Sequence, residues 1–166
     1  MGIHTGVNFK DLKIVHYGYV YRDVERQAKL LEGMYNIPKF SIFEIKEGYT
    51  KFRGKKEQMS LKIAHGNMFN SGVDLMEWID GECSMKEYLD AGREGLHHIG
   101  ALVENYEGYL EYCKEIGIEV IQYATDITRW AFLDTEDSIG VILELAEVPR
   151  RKSAKKAIFN YYFISD

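Results

Sequence analysis

The chain has few cysteines and prolines and no long apolar run. Two cysteines and two prolines occur among 166 residues, and two cysteines are too few for a disulfide framework. No apolar stretch approaches the roughly 20 residues that a membrane-spanning helix requires. The N-terminus also lacks the charged and then apolar pattern of a secretion signal. These absences predict a cytoplasmic protein without a membrane partner.

An excess of positive charge is missing as well. Lys and Arg number 21 against 26 Asp and Glu, which gives a formal net charge of −5. A negative protein is repelled by the phosphate backbone, so the charge disfavours general nucleic-acid binding and no nucleic-acid partner is expected. The short basic run at residues 150–152 is typical of a solvated segment. With 46% apolar and 28% charged residues, the composition indicates a globular chain with a real core.

One short sequence motif occurs twice in the chain. His16 and His98 each stand two residues before a glycine, Gly18 in the first copy and Gly100 in the second. In both copies an apolar stretch, a helix-capping Asp or Asn and a helix follow. The offset of 82 residues holds without a gap from the histidines into the helices. The pattern indicates a duplicated unit.

Hydrophobic periodicity divides each copy into a strand, a helix and three further strands. The order βαβββ therefore occurs twice, over residues 13–80 and 95–147, which predicts an α+β fold of two tandem modules. A C-terminal extension, residues 148–166, lies outside the repeat. Its apolar run at residues 158–163 fits either an added strand or an arm that packs on a partner chain.

The first copy is the longer of the two. Glycines at positions 48, 54, 66 and 72 are typical of turns between strands. The extra residues are therefore expected in loops, around residues 48–56 and 66–72.

The last strand of each copy carries a central glutamate, Glu77 in the first and Glu144 in the second. Side chains alternate along a strand, so each of these carboxylates lies among apolar neighbours, where it is costly unless paired or bound to a cation. The glycines remove bulk beside each histidine and leave room for a metal or ligand. Two imidazoles and two carboxylates suit Zn²⁺, Ni²⁺, Co²⁺, Fe²⁺ or Mn²⁺. One divalent metal ion is therefore predicted, and an octahedral ion would keep two positions for water or substrate oxygens. The predicted ligands are His16, Glu77, His98 and Glu144.

Three stretches of the second copy resemble the vicinal oxygen chelate superfamily. Residues 95–100 read GLHHIG, residues 115–118 read EIGI and residues 140–145 read GVILEL. This superfamily includes glyoxalase I, methylmalonyl-CoA epimerase, extradiol dioxygenases and bleomycin-resistance proteins. The sequence of these stretches is most similar to methylmalonyl-CoA epimerase-like and glyoxalase I-like members. The resemblance implies a glyoxalase-like fold, in which two βαβββ modules form curled mixed sheets around a metal-binding cleft.

The resemblance also implies a reaction. In epimerases and glyoxalase I the metal holds two adjacent substrate oxygens and stabilises an enolate while a carboxylate moves a proton. The ligands come from the first and fourth strands of each module, which here are His16, Glu77, His98 and Glu144. Glu144 is the first candidate for the catalytic carboxylate and Glu77 is the alternate. The implied substrate is a small carbonyl compound, such as an acyl-CoA or a thiol conjugate, and a homodimer is expected.

The resemblance to epimerases is incomplete in the third strand. That subfamily carries an additional acid/base carboxylate there, whereas residues 59–65 contain none. Lys62 and His65 are the residues that could substitute, although surface positions are expected for both. His97, one position before His98, is expected on the opposite face of its strand in a structural role. Lyase or isomerase chemistry on another substrate therefore stays open.

Two other functions also stay open. A metal-free protein of the bleomycin-resistance type could bind a small molecule or antibiotic in the same cleft, but such relatives usually lack the ligand set. An extradiol dioxygenase needs two histidines and one carboxylate around iron with open positions. His16, His98 and Glu144 could serve, but Glu77 would then fill a position that oxygen needs.

Overall fold

The computed structural model describes residues 6–124 and 129–148. The run at residues 158–163, for which the sequence left two interpretations, lies outside the described residues. Within the described ranges, no helix is both long enough and apolar enough to cross a membrane.

The described residues form eight strands and four α-helices in the predicted order. The first copy comprises β1 (Ile14–Val20), α1 (Val24–Tyr35), β2 (Ser41–Phe52), β3 (Lys55–Met68) and β4 (Ser71–Gly81). A connecting helix, α2 (Ser84–Asp90), leads to the second copy. That copy comprises β5 (Gly95–Val103), α3 (Tyr106–Glu115), β6 (Val120–Ala124), β7 (Trp130–Leu133), α4 (Glu136–Ile139) and β8 (Ile142–Glu147). The α+β fold with two βαβββ units is confirmed, and α4 is an addition that the sequence did not predict.

Helices α1 and α3 begin at the side-chain caps that the sequence predicts. The Asp23 carboxylate accepts a hydrogen bond from the Arg26 backbone N at 2.9 Å. Asn105 accepts one from the Gly108 backbone N at 3.2 Å. Each cap satisfies an amide that the first helical turn leaves without an intrahelical partner. The capped helices pack on the outside of the sheet, and α1 does so through an apolar cluster that contains Val24, Ala28, Val73 and Leu75.

The eight strands close into one barrel in the order β1-β4-β3-β2-β6-β7-β8-β5. Within each copy the first and last strands are parallel neighbours, β1 with β4 and β5 with β8. The two copies meet where β1 pairs antiparallel with β5. On the far side, within the described residues, β2 and β6 form a short ladder of Lys51 with Tyr123 and Phe52 with Gln122. The β1–β5 ladder is therefore the main joint between the copies, and it brings the two histidine strands together.

The extra length of the first copy lies in its strands. Strands β2, β3 and β4 have 12, 14 and 11 residues, whereas β6, β7 and β8 have 5, 4 and 6. The expectation that the extra residues lie in loops around residues 48–56 and 66–72 is therefore wrong, because these regions contain only tight turns at residues 53–54 and 69–70. Gly48 lies at an irregularity within β2, between Ile45 and Gly48, and does not end the strand. A bulge of this kind absorbs a residue while the strand continues.

The interior of the barrel is closed at one end by α2. Met85, Tyr88 and Leu89 of α2 belong to the same buried cluster as Val20, the last residue of β1, and Met76, its partner in β4. His16 and Gly18 precede Val20 on the same face of β1. The candidate site therefore lies inside the barrel. The apolar cluster around Val20 and Met76 separates it from α2.

Candidate metal centre

The histidine of each copy lies opposite the glycine of the other copy. In the β1–β5 ladder His16 pairs with Gly100, and Gly18 pairs with His98. A Cβ on Gly100 would lie 1.9 Å from Cε1 of His16, and a Cβ on Gly18 would lie 2.0 Å from Cε1 of His98. Each imidazole therefore occupies the space that the missing side chain of the other copy leaves. The glycines make room for the histidine rings themselves, which corrects the expectation that they leave space for a metal.

Glu144 completes a compact cluster with the two imidazoles. Its Oε2 lies 2.9 Å from Nε2 of His16 and 3.1 Å from Nε2 of His98. The two Nε2 atoms are 3.1 Å apart. All three residues are buried. The structure thus brings together three of the four residues that the sequence singled out, and it does so with one ligand atom from each.

The spacing within this cluster fits a divalent ion. Protein nitrogen and oxygen ligands lie about 2.1 Å from such an ion, so two ligands at right angles are separated by about 3.0 Å. The three separations between ligand atoms are 2.9, 3.1 and 3.1 Å. Within the described residues, His16, His98 and Glu144 form the one group of three or more candidate metal ligands. Their geometry matches one face of an octahedron, and two imidazoles with one carboxylate favour a transition metal over Ca²⁺.

The charges in the cluster depend on one another. Burial alone would raise the pKa of Glu144, but the charge of His16 and hydrogen bonds from both histidines outweigh burial and lower that pKa. For His16, burial favours a lower pKa, yet the charge and hydrogen bond of Glu144 raise it, with a smaller contribution from Asp74. The carboxylate is therefore ionised at neutral pH and is ready to bind a cation.

Glu77 does not lie with the other three residues. In the parallel β1–β4 ladder His16 pairs with Gly72, so Glu77, an odd number of residues further along, points to the opposite face. There its Oε2 accepts a hydrogen bond from the Val24 backbone N at 3.0 Å, and Lys62 Nζ lies 4.0 Å from its Oε1. The prediction that Glu77 is a metal ligand and the alternate catalytic carboxylate is therefore wrong. Its carboxylate stabilises the start of α1.

Asp74 is the structural counterpart of Glu144. Asp74 pairs with Gly18 in the β1–β4 ladder in the same way that Glu144 pairs with Gly100 in the β5–β8 ladder. Sequence reasoning missed this residue because Glu77 has the right chemistry in the same strand. The signal that could have found it is the strand register, since the carboxylate must stand opposite the glycine that follows each histidine.

Asp74 contacts an imidazole from the third strand. Its Oδ1 lies 2.6 Å from Nδ1 of His65, and both side chains are buried. The surface position expected for His65 is therefore wrong. His65 and Asp74 are cross-strand partners in the β3–β4 ladder, so both face the interior that holds the metal cluster. Lys62 instead lies on the outer face, where its Nζ contacts Glu25 at 3.2 Å.

His97 also faces the cluster. The β1–β5 ladder changes register between Gly18, which pairs with His98, and Tyr19, which pairs with Leu96. This irregularity turns His97 inward, and its Nδ1 lies 3.0 Å from Nδ1 of His98. The expected position on the opposite face is wrong because strict alternation fails at a bulge. Burial, followed by the charge of His98, lowers the pKa of His97 well below its ordinary value, so the ring is neutral at pH 7.

Two aromatic side chains of β7 lie beside the cluster. The Phe132 ring is 4.6 Å from the His98 ring, centroid to centroid, and Phe132 pairs with Glu144 in the β7–β8 ladder. The Trp130 ring packs against Phe132 in a tilted arrangement, with the ring centroids 4.8 Å apart. These rings give the polar centre an apolar wall, which strengthens electrostatic interactions within it.

The chain belongs to the Glyoxalase/Bleomycin resistance protein/Dioxygenase superfamily, whose sequence pattern matches residues 15–133. The resemblance to the vicinal oxygen chelate superfamily is thereby confirmed. No curated protein matches the chain.

Several solved structures share the fold. A hypothetical protein from Bacillus halodurans C-125 is similar with a TM-score of 0.62 and 21% identity, over 86% of this chain and 98% of that chain. Methylmalonyl-CoA epimerase from Mycobacterium tuberculosis has a TM-score of 0.59 and 17% identity, over 92% and 99% of the two chains. A variant of the Streptomyces coelicolor epimerase, in complex with 2-nitronate-propionyl-CoA, has a TM-score of 0.57 and 19% identity, over 82% and 94%. At these identities the similarity shows a common fold.

Proposed function

We propose that this protein is a metal-dependent lyase or isomerase that moves a proton next to a carbonyl group. The observation that carries the proposal is the convergence of His16, His98 and Glu144 at the spacing of metal ligands. The proposed ion is Zn²⁺, Ni²⁺, Co²⁺, Fe²⁺ or Mn²⁺. When bound, such an ion polarises a carbonyl oxygen and makes the neighbouring C–H group more acidic.

The two histidines hold and orient this centre. Each imidazole directs its Nε2 atom toward the other two ligand atoms of the cluster. Each ring is also confined by the backbone of the opposite strand, at a glycine. Such confinement removes rotamer freedom before a ligand arrives, which favours binding. With three protein ligands, a bound divalent ion would keep coordination positions free for substrate oxygens.

Glu144 is the proposed proton carrier. Both contacts of its carboxylate to the histidines use Oε2. Oε1 is therefore the oxygen that we assign to proton transfer, while Oε2 would hold the metal together with the two histidines. The lowered pKa keeps the carboxylate ionised, which is the form that can accept a proton, and makes it a weak base that readily returns that proton.

The proposed substrate is an acyl-CoA, a thiol conjugate or a similar small carbonyl compound. Methylmalonyl-CoA epimerases share this fold, and one was solved in complex with 2-nitronate-propionyl-CoA. An epimerase needs a proton donor on each side of the reacting carbon, and the interior pair of His65 and Asp74 offers a second group. A cytoplasmic location and a homodimer remain predictions from the sequence and the resemblance.

The test begins with metal analysis of protein purified without chelators. Near-stoichiometric transition metal is expected, and its absence would favour metal-free small-molecule binding. The loaded protein is then incubated in deuterium oxide with methylmalonyl-CoA or with the thiohemiacetal of glutathione and methylglyoxal. Exchange at the carbon next to the carbonyl is expected with one of these probes.

Two matched variants sharpen this test. Glu144→Gln should abolish exchange, whereas Glu77→Gln makes the same chemical change on the outer face of the sheet and should leave exchange intact. Full exchange by Glu144→Gln would contradict the assigned role of Glu144.

A second candidate function gains support from the position of Glu77. With Glu77 elsewhere, the described cluster contains two histidines and one carboxylate, the set that non-haem iron(II) oxygenases use with open positions for oxygen. Oxygen consumption by the iron(II)-loaded protein with a catechol would support an extradiol dioxygenase. Carbon-bound proton exchange without oxygen consumption would support the lyase or isomerase.

A further inference from the structure

We propose that His97 is a positioning residue that accepts a hydrogen bond from Nδ1 of His98 and thereby directs Nε2 of His98 at the metal. This inference rests on the proposed metal centre, because it concerns how one of its ligands is held. It assigns a role to an imidazole that does not itself reach the three-residue cluster.

Metal binding through Nε2 of His98 would set the direction of the hydrogen bond between the two rings. Their Nδ1 atoms are 3.0 Å apart, so one nitrogen must carry a proton and the other must accept it. Without a metal, Nε2 of His98 hydrogen-bonds to Glu144, but as a metal ligand this nitrogen has to be unprotonated. The proton of a neutral His98 then resides on Nδ1, and Nδ1 of His97 is the acceptor.

Packing holds the acceptor in place. His97 is only 1% exposed. Its ring makes edge contacts with Tyr88 at 5.2 Å and with Phe132 at 5.6 Å, centroid to centroid. Tyr88 is itself anchored, because its hydroxyl donates to the Leu96 carbonyl oxygen at 2.8 Å. An acceptor fixed in this way orients a ligand better than water does, since no freedom is lost when the metal binds.

The duplicated pattern does not explain this imidazole. Val15, a buried apolar residue, occupies the corresponding position before His16. The β1–β5 ladder has the same one-residue irregularity on both sides, at Val15 in β1 and at His97 in β5. The two copies therefore share the bulge, and only the imidazole at this position is a feature of the second copy alone.

The test compares metal affinity among variants of the full chain, measured with Co²⁺ against a competing chelator. His97→Phe keeps a ring of similar shape but removes the acceptor, and loss of such an outer partner weakens metal binding by about 10–100-fold. His97→Asn places a polar atom close to the position of Nδ1 and should retain wild-type affinity. His97→Gln places its polar end further out and should bind as weakly as His97→Phe.

Two further readouts separate positioning from folding. Thermal unfolding of the metal-free variants reports stability, and the difference between Asn and Gln variants keeps the proposal testable if His97→Phe does not fold. In the Zn²⁺-bound wild-type protein, the ¹H–¹⁵N long-range spectrum should show the His98 proton on Nδ1.

The outcomes distinguish the positioning role of His97 from the metal centre itself. Wild-type Co²⁺ affinity in His97→Phe or His97→Gln would overturn the positioning role and leave the metal centre standing. A wild-type protein that binds no divalent metal would overturn the metal centre, and the positioning role with it.

Discussion

The two copies hold their histidines in the same way but use their last-strand carboxylates differently. Gly18 pairs with Asp74 as Gly100 pairs with Glu144. Glu144 reaches both histidines, whereas Asp74 contacts His65 at 2.6 Å. Aspartate is one methylene shorter, and the third strand of the first copy offers it a partner. The duplicated backbone therefore fixes where a carboxylate stands, and side-chain length together with the neighbouring strand decides what it does.

The largest difference between the copies is expected when the two carboxylates are neutralised in turn. Glu144→Gln removes the charge that both imidazoles share and should weaken metal binding by more than about 100-fold, beyond the loss typical of an outer-sphere partner. Asp74→Asn leaves the three-residue cluster complete and should weaken binding by no more than about 10-fold. Isothermal titration with Zn²⁺ measures both. Equal losses would show that Asp74 also binds the metal and that the copies are symmetric in function.

The two copies have in common that each histidine ring lies against the glycine of the other copy. A Cβ at position 100 would collide with the His16 ring, and one at position 18 with the His98 ring. Gly100→Ala and Gly18→Ala should each displace an imidazole, with a loss of about 1–3 kcal/mol in stability from overpacking and a clear loss of Co²⁺ binding. Chemical denaturation and Co²⁺ absorption measure the two effects. Gly33→Ala is the control, because its Cβ would meet nothing within 4 Å. Unchanged Co²⁺ binding in Gly100→Ala or Gly18→Ala would contradict the placement of each histidine ring against the glycine of the other copy.

Much of this fold could be predicted from the sequence because its signals are local. The caps at Asp23 and Asn105 and the hydrophobic periodicity of the strands depend on residues close in the chain. The repeated histidine and glycine spacing identified His16 and His98, since the same two-residue offset serves both sides of one ladder. Glu144 followed from its position in an otherwise apolar strand.

The remaining features depend on register, which the sequence does not display. Glu77 and Asp74 differ by three positions, an odd number, so they occupy opposite faces of β4, and only the pairing with β1 shows which face is inside. His97 turns inward because β5 is irregular beside Tyr19, and no local pattern marks that irregularity. The contact between Asp74 and His65 likewise requires the β3–β4 register.

A smaller effect is expected from pH on the metal-free protein. Glu144 has a lowered pKa, so its contribution to stability is present above its usual value near 4.5 and is lost as pH falls through the lowered value. His16 has a raised pKa, so its contribution is present below its usual value near 6.5 and is lost as pH rises through the raised value.

The cluster should therefore stabilise the metal-free fold most between about pH 4.5 and 6.5. Urea unfolding across this range, with chelator present, measures the profile, and Glu144→Gln should flatten it. A profile that is unchanged in Glu144→Gln would show that the carboxylate and imidazole of the cluster are not coupled.

The smallest effect is expected from the carboxylate that lies outside the cluster. Glu77→Gln weakens an acceptor for the Val24 backbone N at the start of α1, which costs about 0.5–1.5 kcal/mol in the free energy of unfolding. Zn²⁺ affinity should not change, because Glu77 faces α1 and the metal cluster lies on the other side of the sheet. Urea unfolding and metal titration of the same variant measure the two quantities. A large loss of Zn²⁺ affinity with little loss of stability would show that Glu77 is a metal ligand. The last strands of the two copies would then contribute to the metal centre in the same way.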